Sequence, residues 1–172
     1  MPPSRLPYSG AHWVDHVARH AFTIGDSVAI RFEGESISWA RLHDRVRQAA
    51  AAFAGLGVGR GDRVAVLMTN RPEFLEAVLA ANAVGAIAVP VNFRLAPAEA
   101  AYILQDSGAR LVVTDPLLVP LAEAAVAQAG WPSTRSRPGS SSWPNCPATP
   151  QARCSSTSCG PGTALSTGQN YR

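Results

Sequence analysis

The residues that could perform chemistry in this 172-residue chain are few, and the first set is three histidines. His12, His16 and His20 recur at every fourth position, which would place them on one face of a helix. Two histidines at this spacing can bind one zinc ion, but zinc sites use three or four ligands, and no cysteine or carboxylate is positioned to complete the set. We therefore interpret the three imidazoles as a solvated helix face and predict no metal site.

The cysteines and one Ser/Thr/Gly segment are equally weak candidates. Cys146, Cys154 and Cys159 are separated by seven and four residues, which matches no zinc or redox motif, so we interpret them as free thiols. Ser166-Thr-Gly168 is similar to part of a phosphate-binding loop, but no predicted strand precedes it and no helix follows it. All 15 basic residues are arginine, which excludes lysine Schiff bases and phosphate-loop lysines. We predict no catalytic, cofactor-binding or metal-binding residue.

Charge divides the chain near Gly130. Residues 1–130 hold 11 Arg against 12 Asp and Glu, a net charge of −1, whereas residues 131–172 hold 4 Arg and no acid, which gives the overall +3. Four scattered arginines do not form a basic face, so we expect no nucleic-acid partner. The chain has no apolar run of the ~18 residues that a membrane span needs, and its first ten residues have no apolar signal region. We therefore predict a cytoplasmic protein with no transmembrane segment.

Between a flexible N-terminus (1–10) and residue 130, helix and strand patterns alternate. The pattern predicts an amphipathic helix over 11–21 with Trp13 on its buried stripe. A hairpin around Glu33-Gly34 follows, then a long helix capped by Ser38. That helix buries Leu42, Val46, Ala49, Ala50 and Phe53 and leaves Arg41, Asp44, Arg45 and Arg47 in solvent. Apolar strands over 63–68, 86–91 and 110–114 alternate with helices after Pro72, Pro97 and Pro116. The fold class predicted is α/β, with a mainly parallel sheet and flanking helices.

Beyond Gly130 the periodicity stops. Residues 131–172 contain 6 Pro, 4 Gly, 9 Ser and 5 Thr, and no Val, Ile, Phe or Met. Such a segment cannot bury enough apolar area to offset ~1–2 kcal/mol of backbone ordering per residue, so we predict a disordered low-complexity tail. An Arg/Pro/Ser/Cys/Trp-rich segment that begins this abruptly is also what a GC-rich gene gives when translated out of frame. We hold that origin as a hypothesis, and resequencing of the gene would test it.

Several blocks over about 22–129 resemble the N-terminal part of the adenylate-forming (AMP-binding) enzymes, of the fatty-acid–CoA ligase or acyl-CoA synthetase type. The most specific is Gly85-Ala-Ile-Ala-Val-Pro-Val-Asn-Phe-Arg-Leu95, and its Asn-Phe-Arg-Leu form favours fatty-acyl or aryl-CoA ligases. Arg41 departs from the pattern, since the family usually has Glu there. Three further blocks match: Ile37-Ser-Trp-Ala-Arg-Leu42, Gly57-Val-Gly-Arg-Gly-Asp-Arg-Val-Ala-Val-Leu-Met-Thr-Asn70 and Ala101-Tyr-Ile-Leu-Gln-Asp-Ser-Gly-Ala-Arg-Leu-Val-Val-Thr-Asp115.

The resemblance implies an enzyme that uses ATP, Mg²⁺ and CoA to activate a carboxylate and form an acyl-CoA. The family's Ser/Thr/Gly-rich phosphate loop, its ribose-binding Asp and its mobile C-terminal lysine have no counterpart in this sequence. The leading hypothesis is therefore a truncated or frameshifted acyl-CoA synthetase over 11–130 that binds no cofactor and is inactive alone. The main alternative is a non-catalytic interaction module that pairs with itself or with a full-length synthetase. A flavodoxin-like nucleotide-binding domain is disfavoured, because no Gly-rich loop follows Met68 or Val91.

Overall fold

The computed structural model describes residues 12–131 and the strand Thr163–Ser166. Helices and strands alternate from the second helix onward, as the hydrophobic periodicity predicts. The helices are α1 (Trp13–Thr23), α2 (Trp39–Gly55), α3 (Pro72–Ala83), α4 (Pro97–Ser107) and α5 (Val119–Gln128), with a short 3-10 helix at Pro116–Leu118. The strands are β1 (Val28–Phe32), β2 (Glu35–Ser38), β3 (Arg63–Leu67), β4 (Ile87–Val91), β5 (Leu111–Thr114) and β6 (Thr163–Ser166).

Local chemistry sets where α2 begins. β1 and β2 form an antiparallel hairpin, and Glu33 and Gly34 at its turn both have positive φ (49° and 84°). The hydroxyl of Ser38 accepts a hydrogen bond from the Arg41 backbone N–H at 3.3 Å, so Ser38 is the N-cap that the sequence predicts. The buried positions of α2 are Leu42, Val46, Ala49 and Phe53, with Ala50 partly buried, which confirms the predicted stripe.

The main sheet has the order β4-β3-β5-β6, in which β3 pairs in parallel with both β4 and β5. Residues of α2 and α3 pack on one face of β3, around Val64 and Val66. Residues of α4 and α5 pack on the other face, around Ala65 and Leu67. The parallel α/β fold class is confirmed, and the continuous apolar character of β3 follows from its burial on both faces.

Pro90 lies in β4, and within the described sheet β4 is an edge strand. That position suits proline, because at an edge the nitrogen without a hydrogen can face away from the neighbouring strand.

An arginine clamp joins the start of β3 to the end of α4. The guanidinium of Arg63 donates hydrogen bonds to the backbone carbonyls of Ser107 (2.8 Å), Gly108 (2.5 Å) and Gly61 (3.1 Å). The last carbonyls of a helix have no partner within the helix, so these bonds satisfy groups that would otherwise need water. Gly108 itself is in the left-handed conformation (φ 56°) that ends α4.

Two features differ from the sequence-based expectations. Trp13 is 46% exposed, because α1 buries Val17 and Ala18 against α2 and turns its first residue outward. Trp131 packs against the core formed with α4 and α5. Trp131, the first residue of the predicted tail, is therefore part of the folded core.

The predicted disordered tail is described at only one other place. Thr163–Ser166 form β6, which pairs antiparallel with β5, so at these four residues the structure differs from the prediction. The prediction of disorder rests on the lack of large apolar side chains. A strand can pair with an available strand edge through backbone hydrogen bonds alone, which do not require such side chains. The remaining positions, 132–162 and 167–172, lie outside the described residues, as do Cys146, Cys154 and Cys159.

We expect the substitution Arg63→Ala to lower the free energy of unfolding by about 1–3 kcal/mol, because three carbonyl groups lose their charged donor together. Arg47→Ala is the matched control: its side chain is 71% exposed and lies 4.0 Å from Asp44, so its loss should cost less than about 0.5 kcal/mol. Urea unfolding followed by circular dichroism measures both. Equal effects for the two variants would contradict the clamp.

Candidate functional site

Ligands of doubly wound α/β proteins bind at the carboxyl ends of the parallel strands, where neighbouring connections leave in opposite directions. Here that position lies between β3 and β5, since α3 follows β3 on one face and α5 follows β5 on the other. Thr69 and Asp115 lie just beyond these two strand ends. A nucleotide site in this architecture would lie beside them.

Asp115 is 2% exposed and its carboxylate is fully used within the protein. One oxygen, Oδ2, accepts hydrogen bonds from the backbone N–H of Thr69 (2.9 Å) and from its hydroxyl (2.8 Å). The other, Oδ1, accepts from the backbone N–H groups of Leu117 (3.0 Å) and Leu118 (3.2 Å). Four donors occupy the acceptor positions of the carboxylate, so Asp115 ties the ends of β3 and β5 together and is not available to a metal ion.

The loops at this edge contain no amide cradle for a phosphate. The loop after β3 continues through Asn70 and Arg71 into α3, and the loop after β4 turns at Asn92, whose side-chain oxygen accepts from the Arg94 N–H at 3.0 Å. Neither contains a glycine, and a phosphate loop needs glycines so that its backbone N–H groups can approach the ligand. The residues at this edge therefore do not fit ATP or Mg²⁺.

Of the Ser166-Thr-Gly168 segment, only Ser166 is described, and it lies at the opposite end of the parallel strands. The sequence predicts no strand before it, and this is wrong, because Ser166 is the last residue of β6. β6 runs antiparallel, and Ser166 is opposite Leu111, at the amino end of β5. That end is remote from the carboxyl edge where nucleotides bind in this architecture, and Thr167 and Gly168 lie outside the described residues.

A buried ionic cluster, which the sequence does not predict, joins α2 to α3. The side chain of Glu76 is fully buried, with Arg45 Nε 3.0 Å from its Oε1, and the Arg45 side chain is 13% exposed. Arg45 also donates to Glu73 Oε1 at 3.3 Å, and Arg71 donates to Glu73 Oε2 at 2.8 Å. The prediction that Arg45 lies in solvent is wrong, because two carboxylates of α3 draw its side chain into the helix interface.

The pKa values of the two carboxyl groups in this cluster are shifted in opposite directions. Burial raises the pKa of Glu76 to about 7, although the charge of Arg45 opposes the shift. Neither oxygen of Glu76 accepts a well-directed hydrogen bond from the described residues. Burial also disfavours ionisation of Glu73, but the hydrogen bond and charge of Arg71 together with the charge of Arg45 outweigh it, so its pKa is lowered.

A cavity of about 230 Å³ lies beside this cluster, between the hairpin and the start of α3. Its apolar wall includes Phe32, Ile37 and Pro72. Three arginines and three glutamates also line it, so its charges balance and favour neither an anion nor a cation. The charged residues are Arg41, Arg45, Arg71, Glu33, Glu35 and Glu73.

The three histidines of α1 do not converge. His12 caps the helix by accepting a hydrogen bond from the Val14 N–H at 3.3 Å, and His16 lies 2.9 Å from a guanidinium nitrogen of Arg19. The ring of His20 packs on Trp39, with centroids 4.6 Å apart, so the interpretation as a wholly solvated face is wrong for His20. Among the described residues no group of three His, Cys, Asp or Glu side chains could hold a metal ion.

The described helices include none that is long and apolar enough to cross a bilayer.

The fold and the carboxyl ends of β3 and β5 define a parallel α/β scaffold, and comparison with known proteins identifies its family. Residues 17–153 match the family model of the AMP-binding enzymes, and the chain belongs to that family. It is 39% identical over 98 residues to the long-chain-fatty-acid–CoA ligase FadD13 of Mycobacterium tuberculosis, and the match covers 57% of this chain and 20% of that protein. It is 43% identical over 96 residues to naringenin synthase of Pestalotiopsis fici, covering 56% of this chain and 4% of that protein.

Solved structures agree with the sequence matches. The crystal structure of the N-terminal domain of FACL13 from Mycobacterium tuberculosis superposes with a TM-score of 0.61 at 32% identity, covering 67% of this chain and 30% of that one. The chain thus spans about a fifth of FadD13 and less than a third of this domain. The similarity is to the N-terminal domain of acyl-CoA ligases.

We expect the stability of the Glu76→Gln variant to depend on pH differently from that of the wild type. The pKa of Glu76 is higher in the folded state than the ordinary value of 4.5, so the folded protein binds more protons than the unfolded one between pH 4.5 and about 7. Wild-type stability therefore gains a contribution at low pH that is lost as pH rises to about 7. The glutamine of the variant does not titrate, so its free energy of unfolding does not fall in this way. From pH 5 to 7.5 the variant should therefore gain stability relative to the wild type, by on the order of 3 kcal/mol at most.

Glu73→Gln is the matched control, with the opposite sign. Its lowered pKa gives wild type a contribution that is present above the unfolded pKa and is lost as pH falls, so the control should become relatively less stable as pH rises from 3 to 6. Chemical unfolding at a series of pH values measures both differences. A pH-independent difference for Glu76→Gln would contradict a protonated carboxyl at this position.

Proposed function

We propose that this chain supplies the N-terminal α/β part of an ATP-dependent acyl-CoA ligase and does not activate a carboxylate by itself. The observation that carries the proposal is the Asp115 carboxylate, which accepts four hydrogen bonds from its own chain at the strand ends where this architecture binds nucleotides. The family membership and the similarity to the N-terminal domain of FACL13 support the first half of the proposal.

Physical chemistry supports the second half. Attack of a carboxylate on the α-phosphate of ATP builds charge on phosphate oxygens, which enzymes stabilise with amide-lined loops, metal ions and cationic side chains. The chain has no lysine, and Arg45 and Arg63 among the described residues are held by carboxylates or by backbone carbonyls. Each of these two arginines is therefore engaged by groups of the protein itself.

We propose a fatty-acyl or aryl carboxylate as the substrate class of the complete enzyme. The Asn92-Phe-Arg-Leu95 segment and the similarity to a long-chain-fatty-acid–CoA ligase support that class. ATP, Mg²⁺ and CoA would be bound by parts of the enzyme other than the residues described. A cytoplasmic location remains a prediction from the sequence.

A second candidate function is a non-catalytic module that pairs with itself or with a full-length acyl-CoA ligase. The observation that favours it is the β4 edge of the described sheet, where Ile87 is 55% exposed. An unpaired strand edge can accept a strand from another polypeptide, here at the positions of β4 other than Pro90, which has no N–H to donate. Size-exclusion chromatography with and without a full-length ligase separates this function from the first, because only a module of this kind co-elutes with the ligase.

We expect the purified chain to give no ATP–pyrophosphate exchange above background with carboxylates from acetate to palmitate and with benzoate. Removing a single transition-state donor typically costs ~10²–10³ in rate, so a chain without such a set should fall at least ~10³-fold below a complete enzyme. A full-length acyl-CoA ligase assayed in the same buffer is the positive control. Carboxylate-dependent exchange by this chain would overturn the proposal.

A further inference from the structure

The two strands that flank β3, namely β4 and β5, differ in how their outer sides are protected against a further strand. β4 includes Pro90, which has no N–H to offer a further strand, and its side chains at Ile87 and Pro90 are exposed. β5 contains no proline that would prevent such pairing. All four of its residues are at most 4% exposed, and its sequence Leu-Val-Val-Thr has the β-branched composition of a strand that pairs readily.

The β5 edge is occupied by residues of the same chain. Thr163–Ser166 pair with β5 over its whole length, from Thr163 opposite Thr114 to Ser166 opposite Leu111. The pairing is antiparallel, whereas every other pairing in this sheet is parallel. An antiparallel strand can be added to an edge without the helical crossover that a parallel strand requires.

We propose that the β5 edge is a strand-docking surface and that residues 163–166 of the same chain are its occupant, which keeps it from pairing with a second copy. Tethering supports this assignment. The 31 residues of 132–162 join Trp131 to Thr163, and tethering within one chain gives a binding segment an effective concentration on the order of 1 mM. A second copy at about 10 µM is ~100-fold more dilute, so pairing within the chain prevails.

Residues 163–166 pair with β5 through backbone hydrogen bonds, so the pairing does not require particular side chains. Its loss would leave outward N–H and C=O groups of an apolar strand without partners, the condition under which sheet edges associate. The proposal concerns self-association and does not depend on whether the chain is catalytic.

The test is the double substitution Ala164→Pro/Leu165→Pro in the full chain. Successive N–H groups of a strand alternate in direction, so two adjacent prolines remove the one that faces β5 and block the pairing. The matched control is Gly168→Pro/Gln169→Pro, which introduces the same two residues beyond β6. Light scattering coupled to size-exclusion chromatography at about 10 µM reports mass, and hydrogen exchange reports the amides of β5 and β3.

The expected result is a monomeric wild type, a monomeric control and a self-associating Ala164→Pro/Leu165→Pro variant, in which outward β5 amides of any remaining monomer exchange at least ~10-fold faster while β3 amides are unchanged. A variant that stays monomeric with unaltered β5 exchange overturns the proposal. So does a wild type that is already dimeric, since a second copy then occupies the edge. Should the variant fail to fold, the unmodified chain decides: amides of 163–166 that exchange at the rate of an unstructured peptide overturn the proposal, and protected ones support it.

Discussion

The burial of β3 on both faces is the constraint on which the rest of this fold depends. A strand with apolar residues at consecutive positions cannot turn either face to water, so Val64 and Val66 need one helical layer and Ala65 and Leu67 need another. The connections on both sides of the sheet follow from that requirement. The clamps at Arg63 and Asp115 then fix the two ends of the central strands, one at the amino edge and one at the carboxyl edge.

The hydrogen bonding of Asp115 explains why the carboxyl edge supports a structural function better than a catalytic one. A carboxylate that accepts four hydrogen bonds from its own chain is a strong positioning group and a poor ligand. Glu76, by contrast, lies between α2 and α3, where burial raises its pKa and Arg45 only partly compensates. A perturbed pKa is often a signature of an active site, but ion pairs that hold helices together produce it too.

Local rules predict most of the elements and fail where partners are distant in sequence. The Ser38 cap, the buried stripe of α2 and the parallel strands are visible in the sequence because each depends on residues close together in the chain. Arg45 is indistinguishable by periodicity from its solvated neighbours, and only Glu73 and Glu76, which lie 28 and 31 residues later on a different helix, draw it inward. Composition does not predict β6 for another reason: the strand is held through backbone groups, which every residue except proline carries in full.

The pairing of β3 with β5 has a consequence for how the chain is made. Val64 pairs with Leu111, which is synthesised 47 residues later. One side of β3 therefore has no partner strand during that part of translation. At ~10 residues per second that interval is about 5 s, far longer than hydrophobic collapse takes. During it the nascent Val64–Leu67 segment is an apolar stretch with half its backbone unpaired, which makes the ribosome exit a point where chaperones would be needed.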